Sequence, residues 1–326
     1  MKHVSIIVPK KAILGSVEGP RQVLTEVNKV LAGMGKSAMF QVQLVGLSQA
    51  VSAAGGKYTV NTDILINELH HTDLIIIPAL DGDMVEILEE NKDFIPWITQ
   101  HYKAGTEVAS LCVGAFLLAS TGLLDGRNCA THWMFAHHFR KMFPEVNLVE
   151  DKIITDERGI YSSGGAFSYL NLILYLIEKY VGRDVAIFMS KAFQIDYERN
   201  SQSPFMIFKG QKDHEDEPIK KAQEFIENNF QNKFTVNQLA TMFALSRRNL
   251  ERRFKKATSN TVLEYAQRVK IEAAKKSLET GRKSINEVMY DVGYSDTKAF
   301  REVFKKITGL APVEYRNKYN KEAVLV

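Results

Sequence analysis

The sequence predicts an α/β fold, a parallel-sheet sandwich, followed by an all-α domain that carries two helix-turn-helix units. Three observations predict it. Short apolar strand-like runs alternate with helical stretches as far as about residue 193. Strand signals then stop, and everything after Pro218 reads as helix. The charge divides at the same place: residues 218–326 hold 22 Lys and Arg against 12 Asp and Glu, a net of +10, while residues 1–217 carry a net of −6. A basic third on an acidic body is the asymmetry of a nucleic-acid-binding module joined to something else.

With 326 residues the chain is long enough for two or three domains. Strands are expected at 4–8, 39–47, 74–77 and 107–111, with helices between them at 20–32, 96–104 and 114–120. A hairpin at 152–154 and 160–162, turning at 156–159, precedes helices at 166–180 and 184–193. The Ser-Gln-Ser-Pro run at 201–204 and the charged stretch at 212–217 mark a linker. The expected domains are therefore 1–199, a linker at 200–217, and 218–320.

Composition excludes several classes. Cys112 and Cys129 are the only cysteines, too few for a disulfide-dense secreted scaffold, and they imply a reducing compartment. The first apolar run ends at Pro9 and is followed by Lys10 and Lys11, unlike a signal peptide. No run approaches the roughly 20 apolar residues of a membrane span. The expectation is a cytoplasmic protein without membrane association.

The basic part contains a repeat. Thr235 to Phe254 and Ser284 to Phe304 each open with a capping box, Thr235 with Gln238 and Ser284 with Glu287. A short helix, a tight turn, a new cap (Ser246, then Ser295 or Asp296) and a second helix follow, which is the helix-turn-helix plan. At 100° per residue, Leu250, Phe254 and Ala257 take the core side of the first recognition helix. Arg248, Arg252 and Lys255 take the outer side, with Glu251 at its edge. In the second, Phe300, Val303, Phe304 and Ile307 face inward. Lys298, Glu302 and Lys305 face outward, with Arg301 at the edge and Thr297 in the first turn. Arginine and lysine reach guanine O6 and N7, and a carboxylate accepts from cytosine N4. Arg247, Arg253, Lys256 and Lys306 are expected on phosphates. Between the units, 262–280 has two apolar stripes: Val262, Tyr265, Ala266, Val269 and Ala273, then Ile271, Ala274 and Leu278 on nearly the opposite side. A helix of this length spans about 28 Å, close to the roughly 34 Å between major grooves on one face of DNA.

These residues, with Val292-Gly293-Tyr294-Ser295-Asp296 and the run from Phe304 through Gly309, Pro312 and Tyr315 to Arg316, resemble the DNA-binding domain of the AraC family of bacterial regulators. Met289 departs from that pattern, which usually has alanine, and looser packing of the second unit is expected there.

In the first half, Glu107 to Ala119 runs from an apolar strand straight into a helix, with Cys112 at the corner and Gly114 two residues on. This is the plan of a nucleophile elbow. A helix start at the corner is expected to lower the thiol pKa. His132 follows twenty residues later. Residues 110–133 resemble the PfpI-like branch of the class I glutamine amidotransferase superfamily, which implies a flavodoxin-like sheet over about 1–180. That resemblance places an acidic residue where Ser16 stands, with Glu18 two residues out of register. It places histidine, in the protease-like members, at Val113. Cys112 and His132 are then a sensing or vestigial pair and no enzyme is expected; the alternative is a cysteine-dependent hydrolase or hydratase fused to a DNA module.

Two other patterns carry less. Gly33-Met-Gly35-Lys36-Ser37 lacks the glycine a phosphate loop needs at Val30, and the histidine groups 70–71 and 132–138 lack zinc-motif spacing. No metal or cofactor is expected. The expected partners are double-stranded DNA, a second copy of the chain, a small effector and RNA polymerase.

Overall fold

The computed structural model describes residues 1–197 and 199–320 and divides the chain into two compact units, Met1–Gln202 and Ser203–Val326. The first unit begins with β1 (Lys2–Ile7), α1 (Leu14–Gly33), β2 (Phe40–Gly46), the hairpin β3 (Ala50–Ala53) and β4 (Tyr58–Asn61), β5 (Ile64–Leu65) and β6 (Leu74–Ile77). It continues through α2 (Met84–Glu90), α3 (Phe94–Lys103), β7 (Glu107–Leu111), α4 (Ala115–Ala119), β8 (Asn128–Cys129), α5 (Ala136–Met142) and β9 (Asn147–Leu148). It closes with β10 (Ile154–Glu157), β11 (Ile160–Ser163), α6 (Tyr169–Val181) and α7 (Arg183–Ala192).

Seven strands form one sheet in the order β10-β11-β7-β6-β1-β2-β5, parallel except for the β10–β11 hairpin. Side chains alternate across it with the period of two that strands impose. Val4, Ile6, Leu74, Ile76, Ala109 and Leu111 face one core, shared with α1, α6 and α7. Ile7, Ile75, Ile77 and Val108 face the other, shared with α2, α3, α4 and α5. Helices on both faces explain why these strands read as unbroken apolar runs.

The expected strands at 74–77 and 107–111 match in full. The helix expected from Pro20 starts earlier, at Leu14, and Pro20 lies inside it. Ser16 holds the first turn, its hydroxyl donating to Ile13 O at 2.7 Å and accepting from Ala79 N at 2.9 Å. The phosphate-loop-like run at 33–37 is the stop of α1: Gly35 takes φ 73°, and Lys36 N donates back to Leu31 O at 2.9 Å. The β3–β4 hairpin, β5, α2, β8, β9 and α5 were outside the expected elements, since stretches of two to seven residues hold too few periods to register.

The second unit runs α8 (Glu217–Asn228), α9 (Val236–Met242), α10 (Arg247–Thr258), α11 (Val262–Thr280), α12 (Ile285–Asp291), α13 (Thr297–Thr308) and α14 (Pro312–Tyr319). It has two hydrophobic cores. Ile219, Leu239, Leu250, Phe254 and the Val262, Tyr265 and Ala266 end of α11 make the first. Val288, Met289, Phe300, Phe304, Tyr315 and the Ile271, Ala274 and Leu278 end of α11 make the second. The two stripes expected on α11 pack in different cores, the first toward its start and the second toward its end, except that Ala273 packs with the second core. Met289 is 1% exposed and lies within the second core.

The repeat reaches further than its helix-turn-helix cores. Thr258 and Thr308 each donate to the carbonyl four residues back at 2.8 Å. Tyr265 and Tyr315 each donate to a carboxylate at 2.5 Å, Glu227 on α8 and Glu279 on α11. The helix α11 therefore ends one repeat and begins the next. Left-handed backbone positions also correspond. Gly293 and Gly309 stand at φ 77° and 75°, where the first repeat has Ala244 at 52° and Ser259 at 58°.

The division at Gln202 falls inside the stretch expected as a linker. Residues 203–216 lie on the helical unit. Phe208 packs edge-on to Tyr265 with centroids 5.1 Å apart, the buried Lys275 ammonium donates to Met206 O at 2.5 Å, and Arg253 donates to Asp216.

Two stability measurements test this. Ala244→Gly should stabilise the second unit by about 0.5–1 kcal/mol, because relief of the left-handed strain outweighs the added chain entropy. A loss of stability in urea titration would contradict the strain. A fragment 203–326 should be more stable than a fragment 218–326 by about 2 kcal/mol, the cost of leaving Lys275 and Tyr265 without those partners. Equal midpoints would show that 203–217 contributes nothing.

Candidate nucleic-acid interface and cysteine corner

Cys112 leaves β7 at φ 54°, a strained value for a residue with a side chain, and one tight 3-10 turn, Cys112–Gly114, leads into α4. Gly114 is required there, since a Cβ would stand 2.4 Å from Pro78 O and 2.8 Å from Ile77 O. The corner is pinned by Thr131, whose hydroxyl donates to Cys112 O at 3.0 Å, and by Cys112 N, which donates to Ser163 Oγ at 3.4 Å. Strand, corner cysteine and glycine assemble as the sequence implied.

The surroundings of the thiol differ from those expected. Cys112 is 4% exposed, and burial pushes its thiol up to about 11, against a smaller opposing effect of the Val113 N–H. The lowered thiol pKa expected at a helix start is overturned, because the first turn is 3-10, α4 has five residues, and desolvation outweighs so short a dipole. The ring of His132 accepts through Nδ1 from Met134 N at 3.2 Å, as the cap of a 3-10 turn at Trp133–Phe135. The ring stacks on Trp133 at 5.6 Å, and burial lowers its pKa, which favours neutral imidazole. Among the described residues neither His132 nor a carboxylate hydrogen-bonds the Cys112 sulfur. Ser16 is committed to backbone, and Glu18 turns outward to Arg21 at 2.6 Å. Val113 is buried. Among the described residues no three His, Cys, Asp or Glu side chains are grouped to hold a metal, and no helix is long and apolar enough to cross a membrane.

In the helical unit the four expected caps form. Thr235 and Ser284 accept from Gln238 N and Glu287 N at 3.2 and 3.3 Å, Ser246 from Asn249 N at 3.3 Å, and Asp296 rather than Ser295 from Ala299 N at 2.8 Å. Leu250, Phe254, Phe300 and Phe304 are buried, which turns the opposite sides outward. Arg248, Arg252 and Lys255 on α10 are exposed, as are Lys298, Arg301, Glu302 and Lys305 on α13, while Thr297 is half-buried. Arg247 and Glu251 form an ion pair at 3.0 Å across one turn. Arg252 Nη2 donates to Asn249 Oδ1 at 3.1 Å, a residue the sequence reading passed over, although its place one turn past the Ser246 cap was the available signal. Arg253, expected on phosphate, is instead bound to Asp216, the cap of α8, through Nε at 2.8 Å and Nη2 at 2.5 Å. The Arg253 pair holds the Asp216 carboxyl below the usual range. Lys256 and Lys306 are exposed.

Fold and site define a two-part protein: an α/β unit with a cysteine elbow, and a paired helix-turn-helix unit with a basic outer face. The chain belongs to the DJ-1/PfpI family, which it matches over residues 6–179, and it carries a helix-turn-helix domain of the AraC type over residues 239–318. Among curated proteins it is 26% identical over 236 residues to the HTH-type transcriptional regulator GbdR of Pseudomonas aeruginosa, covering 69% of this chain and 61% of that one. It is 24% identical to the HTH-type transcriptional regulator GlxA of Rhizobium meliloti, covering 66% and 67%. The chain thus spans about three fifths of the length of GbdR. A solved structure of a candidate transcriptional regulator from Vibrio parahaemolyticus superposes with a TM-score of 0.53 at 22% identity, covering 59% of this chain and 98% of that one, and so shares the fold of the α/β unit.

In a Cys129→Ser background, Cys112 should alkylate slowly with iodoacetamide at neutral pH, the rate climbing toward pH 11. Because the folded thiol ionises later than the unfolded one, its contribution to stability is intact below about 9 and is lost as pH rises through about 11. A rate already at its plateau at neutral pH would show a reactive thiolate.

Proposed function

We propose that the protein is a sequence-specific DNA-binding transcription regulator, in which the α/β unit senses a small effector and mediates dimerisation. One observation carries the reading: two similarly capped recognition helices, α10 and α13, turn exposed basic side chains away from two cores built on one helix. Names of the relatives, both HTH-type transcriptional regulators, support it.

On α10 the reading assigns base edges to Arg248 and Arg252, with Lys255 beside them, and gives the Arg247–Glu251 pair a choice. Either Glu251 accepts from a cytosine while Arg247 moves to phosphate, or the pair stays closed. On α13, Thr297, Lys298, Arg301 and Lys305 face the second groove. The domain arrangement is 1–199 as the sensing body and 218–320 as the DNA-binding part. The Cys112–His132 corner serves as a wall of the effector site without turnover, since a protonated thiol and a histidine acting as a backbone cap lack the base and orienting acid that a nucleophile needs. RNA polymerase completes the set of partners.

Genomic mapping of bound sites, followed by titration of a recovered duplex, tests the reading. Arg248→Ala and Arg252→Ala should each weaken binding by about 1–3 kcal/mol and relax discrimination at one base pair. Arg253→Ala should instead lower the stability of the helical unit and leave base preference unchanged. Wild-type selectivity in both of the first two variants would remove the assignment. Screening amide and α-oxoaldehyde substrates beside Cys112→Ala tests the non-enzymatic role, and turnover that disappears in that variant would overturn it.

A further inference from the structure

Gln202, the last residue of the α/β unit, is 2% exposed inside a cage of backbone. Its Nε2 donates toward Thr131 O at 2.9 Å and toward Glu150 O and Lys152 O at 3.0 Å each. Its Oε1 accepts from Trp133 N at 3.3 Å, and its own N–H donates to Asp151 O at 2.7 Å. Three carbonyls around the nitrogen fix the amide's orientation, because an oxygen placed there would be repelled. Gly164 leaves the space: a Cβ at that position would stand 2.0 Å from Gln202 Nε2 and 2.8 Å from Thr131 O.

The clamped backbone is the part that carries His132. Thr131 Oγ1 donates to Cys112 O at 3.0 Å, so two consecutive hydrogen bonds, with one residue between them, join the cysteine corner to Gln202. Beyond the Gln202–Ser203 peptide bond the chain is held again, this time on the helical unit. Tyr319 donates to Pro204 O at 2.9 Å, and the Lys318 ammonium lies 4.5 Å from the centre of the Phe205 ring. Pro204 and Ser203 also lie against Gly309, the cap that ends α13, where a Cβ would meet both at 3.6 Å. Gln202 and Ser203, joined by one peptide bond, are thus held in different units, each by its own contacts.

We propose that Gln202 is a positioning residue that couples the cysteine corner to the second recognition helix. When its amide is seated, movement of 131–133 is passed to 203–205 at the end of α13. When it is unseated, the two ends move independently. This rests on the DNA-binding reading above. A coupling of this kind needs an element that both sites bias, a role we assign to the seating of the Gln202 amide.

The test uses the full chain and a duplex that the wild type binds, measured by gel mobility shift. Thr131→Val cuts the link to Cys112 O with little change of shape. Gln202→Met deletes the cage's hydrogen bonds at similar length, and Gly164→Ala pushes the amide out from the other side. Circular dichroism melting checks that each variant is folded, and Gln202→Asn replaces Gln202→Met if the latter melts below the assay temperature. In the wild-type background Thr131→Val should change DNA affinity between about 5- and 150-fold. In the Gln202→Met background it should change affinity by less than about twofold, with Gly164→Ala behaving like Gln202→Met. An equal effect of Thr131→Val in both backgrounds, or no effect in either, overturns the coupling. If the wild type binds no duplex, the DNA-binding reading fails and amide exchange decides the coupling alone. Exchange of Trp133 N–H and of 203–208 should then rise together by at least about tenfold in Gln202→Met. A rise at Trp133 with 203–208 unchanged overturns it.

Discussion

Val262, Tyr265 and Ala266 near the start of α11 are buried with α8, α9 and α10, while Ile271, Ala274 and Leu278 near its end are buried with α12, α13 and α14. One rigid rod is therefore a wall of both cores. Neither set of short helices can slide or turn on it without opening a cavity, and cavities in a close-packed interior cost several kcal/mol each. Seven-residue helices such as α9 and α12 are too short to persist alone, so their orientation comes from this packing. Spacing and mutual angle of the two recognition helices thus follow from where apolar residues fall along α11. The tyrosines reinforce the arrangement, each tying the last helix of its repeat to the first through a buried phenol and a carboxylate.

Close packing also decides the character of the cysteine corner. The approach of Gly114 to Ile77 O and Pro78 O, the pin from Thr131 and the contact with Ser163 hold a strained residue in place. The same enclosure removes water from the thiol and raises its pKa. The elbow geometry and the burial of the thiol come from one set of contacts.

Much of this was legible in the sequence, for reasons that differ by element. β6 and β7 are apolar on both faces, the caps at Thr235, Ser246 and Ser284 are local, and α11 runs through five turns, so each carries its signal within itself. Elements of a few residues, such as β5 and β8, exist only because a neighbouring strand pairs with them, and no local signal announces that. The early start of α1 was hidden by Pro20, an apparent first-turn residue that the helix tolerates in its interior. At the sites, side-chain type gave the exposed arginines but not their partners. Arg253 looks like its neighbours in sequence and differs because Asp216, thirty-seven residues away, reaches it. Gln202 gave no signal, since its role depends on carbonyls from two distant segments.

The two tryptophans, Trp97 in α3 and Trp133 beside His132, both belong to the α/β unit, and the helical unit has only tyrosine and phenylalanine. Indole emission therefore gives this protein a built-in optical separation of its halves. A change in that emission on adding DNA reports something arriving in the unit that does not carry the basic helices. Trp133, whose ring stacks on His132 and whose backbone N–H donates to Gln202, is the better placed of the two reporters. Far-ultraviolet ellipticity, dominated by helix, draws on both halves. Comparing the two signals during unfolding shows directly whether the units melt as one body or as two.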